Sequence, residues 1–343
     1  MLRSSVPPPA FHAPPLSAVL RRYPAGTVLT CEPVEQGLLN RGYRLRTTRG
    51  RYFLKHHFDP ETADPAAIVR QHQATQRLAG LGVPVAPPLT GSDGRTVTVV
   101  GGHAYALHPW IEGRHRHGGQ LSREQCRRLG ALLGIVHACL EQVMPADARM
   151  PARPADGADP ADTFALIEDL LALVRRHRPS DAFDELAGHR LLERRALLAQ
   201  HAHRRPERGG SVGWVHGDFH PFNLLYRGGE PAAIVDWDRL GVQPRAEEAV
   251  RAAVIFFVRP VGTLDLTKVR AYARAYRRSA GATSQELAAA VHRVWWERLN
   301  DFWILRWHYE RGDTRADPQF PAASALAVWW TRKYEAVCEA FTG

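Results

Sequence analysis

The sequence predicts an α+β chain of two lobes: a small lobe made of an antiparallel sheet with one main helix, and a larger, mostly helical lobe. Three observations carry this. Residues 27–57 and 96–107 alternate between apolar and polar side chains, the period of half-buried strands. From Gln120 onward the apolar residues recur at three- and four-residue spacing, the period of helices. The chain has 343 residues, 45% hydrophobic and 23% charged, an ordinary globular composition long enough for about two domains.

The elements follow in order. Residues 1–15 hold five prolines and read as a loose arm ahead of the first lobe, 16–110. Two alternating runs, Leu38–Thr48 and Arg51–His57, flank Arg49-Gly50 as a hairpin, and Thr27–Cys31 precedes them. Residues 65–80 read as a helix, with Ile68, Ala74, Thr75 and Leu78 on one face and Gly80 near its end. Val83-Pro-Val and Pro87-Pro88 make its exit loop. Thr96–Val100 and His103–Leu107 form a second hairpin around Gly101-Gly102. A linker near Pro109–Gly119 opens the second lobe, 111–343. Its helices are expected over Gln120–Val143, 162–177, 181–203 and from Arg245 to the end, broken near 260–264, 280–283 and 311–321. Met144–Asp162 reads as an insertion. Within 212–236, two apolar runs, Gly213-Trp-Val and Ala232-Ala-Ile-Val, read as strands brought together by the turn at Arg227–Pro231.

The longest wholly apolar run, Ala252–Val258, is far too short to span a bilayer. The N-terminus carries no signal-peptide hydrophobic stretch. Four cysteines are scattered without a C-x-x-C pair, which suits a reducing cytosol and opposes a Cys-rich zinc site. The net charge is +10, and residues 1–120 carry 14 basic against 7 acidic residues, so the first lobe is suited to an anion. No nucleic-acid motif accompanies that charge. Only three of the 45 basic residues are lysines, and Lys55 is the only one in the first 267 residues.

Reactive groups concentrate in Val215-His216-Gly217-Asp218-Phe219-His220-Pro221-Phe222-Asn223 and, after a short turn, in Ile234-Val235-Asp236-Trp237-Asp238. A carboxylate at a strand end, an amide five residues on and a second carboxylate beyond the turn suit a divalent cation and a base. Carboxylate and amide oxygens match a hard ion such as Mg²⁺, and a remaining Asp is able to accept a proton from a hydroxyl. Phosphoryl transfer needs these parts plus a cation on the phosphates. Asp218-Phe-His220 also fits the opening of a metallophosphatase, but the later segments such a site needs are absent.

His-Gly-Asp-x-His-x-x-Asn followed by Ile-Val-Asp-Trp resembles the catalytic and metal loops of the aminoglycoside phosphotransferase, choline kinase and homoserine kinase superfamily. Leu78–Val85 and Trp110-Ile-Glu-Gly113 resemble further segments of it, and Asn40–Lys55 looks most like its homoserine kinase branch. The resemblance implies a two-lobed protein-kinase-like fold and a cytoplasmic, ATP- and Mg²⁺-dependent transfer of phosphate to a small-molecule hydroxyl. It implies Asp218 as the base, Asn223 and Asp236 as Mg²⁺ ligands, Lys55 on the nucleotide phosphates and His216 as a structural brace. Backbone groups from Leu107 through Pro109 to Trp110 would receive the adenine. Asp238 is left open between a supporting role and a substrate contact.

The chain departs from the pattern in two places. The superfamily carries a glutamate on its small-lobe helix that pairs with the lysine; here Gln71 falls at that place, with Glu61 the nearest acid. The loop Glu35–Gly42 is poor in glycine. These departures motivate a second reading, a non-catalytic pseudokinase. Two other groupings are explained without chemistry. Arg114, His115, Arg116 and His117 fit a solvated loop, and Trp295, Trp296, Trp303, Trp307, Trp329 and Trp330 fit core packing.

Overall fold

The structure is a computed structural model and describes residues 14–34, 41–57, 64–144, 156–207 and 210–343. The N-terminal arm up to residue 13, the loop 35–40, Glu61 and the insertion 145–155 lie outside the described residues.

The first lobe opens with a short helix α1 (Leu16–Leu20), then β1 (Val28–Val34), β2 (Arg41–Thr47), β3 (Arg51–His57), α2 (Pro65–Gly80), β4 (Thr98–Val100) and β5 (His103–Pro109). The strands form one antiparallel sheet in the order β1-β2-β3-β5-β4. The alternation seen in the sequence gives the sheet two faces. Tyr43, Leu45, Leu54, Tyr105 and Leu107 pack on one face with Val19, Leu20 and Tyr23. The residues between them put Phe53, Lys55, His57, Ala106 and His108 on the other face. Helix α2 starts where Asp64 accepts the N–H groups of Ala66 and Ala67 ahead of Pro65. It buries Ile68, Gln71, His72, Thr75 and Leu78.

The second lobe follows with α3 (Arg123–Val143), α4 (Pro160–Arg176), α5 (Ala182–His201), β6 (Val212–Val215), β7 (Leu224–Arg227), β8 (Glu230–Ile234), β9 (Gly241–Pro244), α6 (Arg245–Phe257), α7 (Leu266–Ala280), α8 (Ser284–Asn300), α9 (Trp303–Arg306), α10 (Phe320–Arg332) and α11 (Tyr334–Thr342). Its main core joins α3, α6, α7, α8 and α11. Gly130 and Gly134, one turn apart on α3, let α7 lie against it. A Cβ at Gly130 would come 2.1 Å from the Tyr272 carbonyl oxygen. A second core holds α4, α5, Phe302 and Phe320. Trp295, Trp296 and Trp330 are buried as expected, while Trp303, Trp307 and Trp329 are half-buried.

Three expectations are corrected. The two apolar runs of 212–236 do not pair with each other: β6 pairs with β9, and β7 pairs with β8 around Gly228-Gly229. Strands of four residues are too short for periodicity to name their partner, and Gly241-Val-Gln-Pro244 carries no strand signal. The helical run after Arg245 also breaks at Asp301-Phe302. The segment 114–117 is not simply a solvated loop. Arg114 bridges to Tyr226 through both backbone groups, and His115 Nδ1 lies 3.1 Å from the Leu224 carbonyl, so the segment is sewn to the β7–β8 hairpin.

Candidate active site

The loop between β6 and β7 is fixed by its backbone. His216 is fully buried; its Nδ1 accepts the Asp218 N–H at 3.2 Å and its Nε2 meets the Val235 carbonyl at 3.0 Å. A ring that accepts at one nitrogen and donates at the other is neutral, and burial lowers the His216 pKa in the same sense. Behind the loop, the buried Glu248 carboxylate on α6 accepts the N–H groups of His216 (3.3 Å) and Gly217, and also meets His137 Nε2 at 2.7 Å. Burial alone would raise the Glu248 pKa, but the His137 hydrogen bond and charge reverse it to a net lowering. Gly217 has φ +84°, and a Cβ there would sit 2.1 Å from the Arg239 carbonyl oxygen, so the turn needs glycine.

This turn presents Asp218 at the cleft, with its side chain 35% exposed. Its Oδ2 lies 3.5 Å from His220 Nε2 and 3.9 Å from Arg239 Nε. Burial would raise the Asp218 pKa, yet His220 and then Arg239 outweigh it, so the carboxyl is held below its usual range and ionised. Asn223 ends the loop. Its amide nitrogen donates to the Asp218 carbonyl at 2.9 Å, which leaves its amide oxygen for another partner.

The second segment arrives on β8. The Val235 N–H donates to the Asn223 carbonyl at 2.9 Å, placing Asp236 beside the end of the loop. Asp236 has φ +61°, a left-handed conformation uncommon for a residue other than glycine. Trp237 fixes the bend: its Nε1 donates to the Ile234 carbonyl, and its ring lies 4.5 Å from that of His216. The Asp236 carboxylate therefore projects into the cleft, 48% exposed.

Lys55 closes the site from the first lobe. Its Nζ donates to Asp236 Oδ1 and to Asp238 Oδ1, each at 2.6 Å. Burial works against the ammonium, but Asp236 and then Asp238 outweigh it and raise the Lys55 pKa above its ordinary value. The same lysine holds the Asp236 carboxyl below the usual range against the opposing effect of burial. Gln71 does not substitute for a glutamate at the lysine; its Nε2 donates to the Asp238 carbonyl at 3.0 Å.

Lys55, Asp218, Asn223 and Asp236 are thus brought to one cleft. The residues expected at the adenine divide. Leu107 is fully buried on the opposite face of the sheet, with its carbonyl bonded to the Leu89 N–H. Pro109 ends β5 at the lobe junction, where the Trp110 N–H donates to the Arg51 carbonyl. Leu107 therefore supports the strand instead of facing the cleft. Sequence reasoning missed Glu248 and His137. The signal was two acids, Glu247-Glu248, in the first turn of a largely apolar helix, a pattern that reads equally well as a solvated face. It also missed the docking of Pro84 on β8, where the Ile234 N–H donates to the Pro84 carbonyl at 2.8 Å.

The donors at the cleft fit a hard divalent cation. Asp236 offers an exposed carboxylate, and the hydrogen bond of the Asn223 nitrogen turns its oxygen to acceptor duty. Elsewhere among the described residues, His177, Asp184 and His308 offer ligand atoms within 4.8 Å of one another. The Asp184 oxygens there already accept from Tyr309 Oη, the Asp181 N–H and His177, so this group acts as a hydrogen-bonded clamp between helices. Among the described residues, no helix is long and apolar enough to cross a membrane.

Comparison with known proteins gives a consistent picture. The profile of the phosphotransferase enzyme family matches residues 30–282. A homoserine kinase of Methylobacillus flagellatus is 24% identical over 292 residues, 83% of this chain and 84% of that protein. A homoserine kinase of Burkholderia multivorans is 26% identical over 315 residues, 85% and 86% of the two chains. Among solved structures, a spectinomycin phosphotransferase in complex with ADP and spectinomycin shares the fold with a TM-score of 0.67 at 12% identity, covering 94% of this chain and 97% of its own.

Proposed function

Because the chain belongs to the phosphotransferase enzyme family and is a small-molecule kinase, we propose that it moves the terminal phosphoryl group of ATP to an acceptor hydroxyl through Asp218, Asn223, Asp236 and Lys55. The observation that carries this is Lys55, reaching from the first lobe to within 2.6 Å of Asp236 at the mouth of the Asp218 loop. In this reading, residues 16–110 hold the nucleotide, with the adenine against Pro109 and the backbone beyond it, and residues 111–343 form the acceptor side.

Each side chain has a task its surroundings suit. Asp218, ionised at neutral pH, accepts the hydroxyl proton and orients the oxygen for attack. His220 and Arg239, both close to Asp218 Oδ2, keep that carboxylate charged. His216 and Glu248 hold the loop so that little reorganisation is needed on reaction. Lys55 neutralises phosphate oxygens as a compact point charge, a role arginine does not fill with the same geometry. Asn223 and Asp236 would hold Mg²⁺, which supplies charge neutralisation between the phosphates.

The acceptor side is addressed by the homoserine kinase relatives, which make homoserine the first acceptor to test, followed by other amino-alcohols and aminoglycosides. Replacement of Asp218 by Ala is expected to lower kcat about 10²- to 10⁴-fold while leaving the unfolding transition and Mg²⁺·ATP binding nearly unchanged. A coupled assay over hydroxylated amino compounds reads this. Phosphate transfer by Asp218→Ala at the wild-type rate removes the assignment of the base, and absence of Mg²⁺·ATP binding by the wild-type protein favours a pseudokinase.

A further inference from the structure

The helix that should partner Lys55 cannot do so. From Pro65 to Gly80, α2 contains no Asp or Glu, so no carboxylate on it is available to the lysine. At the expected position stands Gln71, 5% exposed, whose amide is spent on the Asp238 backbone carbonyl. The lysine's two carboxylate partners both come from the other lobe, and they are not equivalent. The Asp236 side chain is 48% exposed, whereas that of Asp238 is 11% exposed, like that of Lys55 itself.

That difference sorts their roles. A carboxylate that must hold a divalent cation cannot keep the same oxygens on an ammonium. In the function proposed above, Lys55 exchanges Asp236 for phosphate oxygens when the charged nucleotide enters. Asp238 is sheltered, and its segment is clamped by Gln71. A charge-assisted hydrogen bond out of water also holds its geometry better than an exposed one.

We propose that Asp238 is the positioning residue for Lys55, doing from the second lobe what a helix glutamate would do from the first, with Gln71 as the clamp on its backbone. This rests on the phosphate role of Lys55 proposed above. Its consequence is mechanical. The lysine is aligned only while β3 and the Asp236–Asp238 segment lie together, so closing the lobes and arming the lysine are one event. A glutamate on α2 would keep the lysine armed within one lobe, whether the cleft is open or closed.

The test uses the full chain, Mg²⁺·ATP as the ligand and four variants: Lys55→Ala, Asp238→Asn, Gln71→Glu and the double change Asp238→Asn with Gln71→Glu. Asp238→Asn is expected to weaken Mg²⁺·ATP binding about tenfold and to lower kcat on the best acceptor about 10²-fold, the scale of a misaimed group. The double variant, which returns a carboxylate to the helix, should recover at least tenfold of the kcat loss. A role in stability alone would not produce that rescue. If Lys55→Ala impairs binding and turnover while Asp238→Asn stays within twofold of wild type, the positioning role is wrong and the lysine reading survives. If Lys55→Ala is itself within twofold of wild type, the lysine reading has failed.

A second readout does not depend on variants folding. The chain has three lysines, so selective isotopic labelling gives three side-chain signals. On titration with Mg²⁺·ADP, the Lys55 signal should remain that of a sheltered, ion-paired ammonium. Its shift to the position of an exposed lysine overturns the proposal.

Discussion

On the second-lobe wall of the cleft, the loop bearing Asp218 is tied down from behind. Glu248 accepts the N–H groups of His216 and Gly217, the His216 ring accepts that of Asp218, and Gly217 makes a turn that a Cβ would obstruct. On the first-lobe wall, Lys55 stands on β3 with no acidic partner on α2 and takes Asp236 and Asp238 from across the cleft. One wall is organised before any ligand arrives. In the reading proposed above, the other reaches its working geometry only by meeting the first. The difference teaches that perturbations of the two walls should separate: damage behind the loop unfolds the lobe, whereas damage around the lysine leaves a folded protein that handles nucleotide badly.

The largest effect expected from this contrast is at Glu248. Its replacement by Ala leaves two backbone N–H groups and His137 without their acceptor in a buried site, and losses of this kind cost about 3 kcal/mol or more. Urea denaturation followed by circular dichroism measures it. A cost below about 1 kcal/mol would mean the loop is not held from behind, and the contrast would collapse.

A graded effect comes from acid and falls mainly on the first lobe. His57, His72 and His108 line the space between the sheet and α2; His72 Nδ1 meets Thr96 Oγ1 at 2.8 Å and His108 Nδ1 meets the Ala86 carbonyl at 2.9 Å. Burial first, then Lys55 and the neighbouring rings, push their pKa values down to about 2, about 3 and about 4 respectively. The folded values lie below the unfolded one, so above about pH 6.5 both states are neutral and nothing is lost. Below it the unfolded chain takes up protons that the folded lobe refuses, and stability falls, by at most about 1.4 kcal/mol per pH unit for each ring. The loss levels off ring by ring, near pH 4 for His108, near pH 3 for His72 and near pH 2 for His57. The lowered carboxyls of Asp218 and Asp236 add their own losses only below about pH 4. Denaturant midpoints should therefore drop between pH 7 and pH 5, and His72→Gln should flatten the slope. A flat profile over that range would contradict the buried, neutral state of these rings.

How much of this was legible in the sequence follows the same division. The second-lobe residues expected to carry chemistry lie within 21 consecutive residues, 216–236, so residue types, spacing and the resemblance together singled out Asp218, Asn223 and Asp236, which the structure brings to one cleft. Lys55 was found because it is a rare residue on a well-patterned strand. What escaped were the relations made by packing. Glu248 reaches the loop from 31 residues beyond Gly217, and nothing in a helix that enters with two acids says that both are buried or which of them meets the loop. The pairing of β6 with β9 depends on four residues at each side, too few for a period. Leu107 was placed at the adenine by the resemblance, as part of the backbone from Leu107 to Trp110; that its carbonyl is already bonded to the Leu89 N–H is a relation made by packing. Gln71 was noticed as an absence. Its actual bond, to the backbone of Asp238, required the lobes to be seen together.

The smallest expected effect concerns the hairpin that carries Asp236, and it sharpens the contrast by what it leaves alone. Arg128 on α3 forms an ion pair with Glu230 at the start of β8, with side chains 48% and 60% exposed. Such pairs gain little, because water screens them and two long side chains must be ordered to form them. The hairpin is held elsewhere: Leu224 and Ile234 are buried in the main core, and the Ile234 N–H is bonded to Pro84. Arg128→Ala should therefore change stability by about 0.5 kcal/mol or less and leave kcat and the KM for ATP unaltered. A change in KM for ATP at this distance would show that the Asp236 segment takes its position from the surface of α3. The organised wall would then be no better anchored than the wall carrying Lys55.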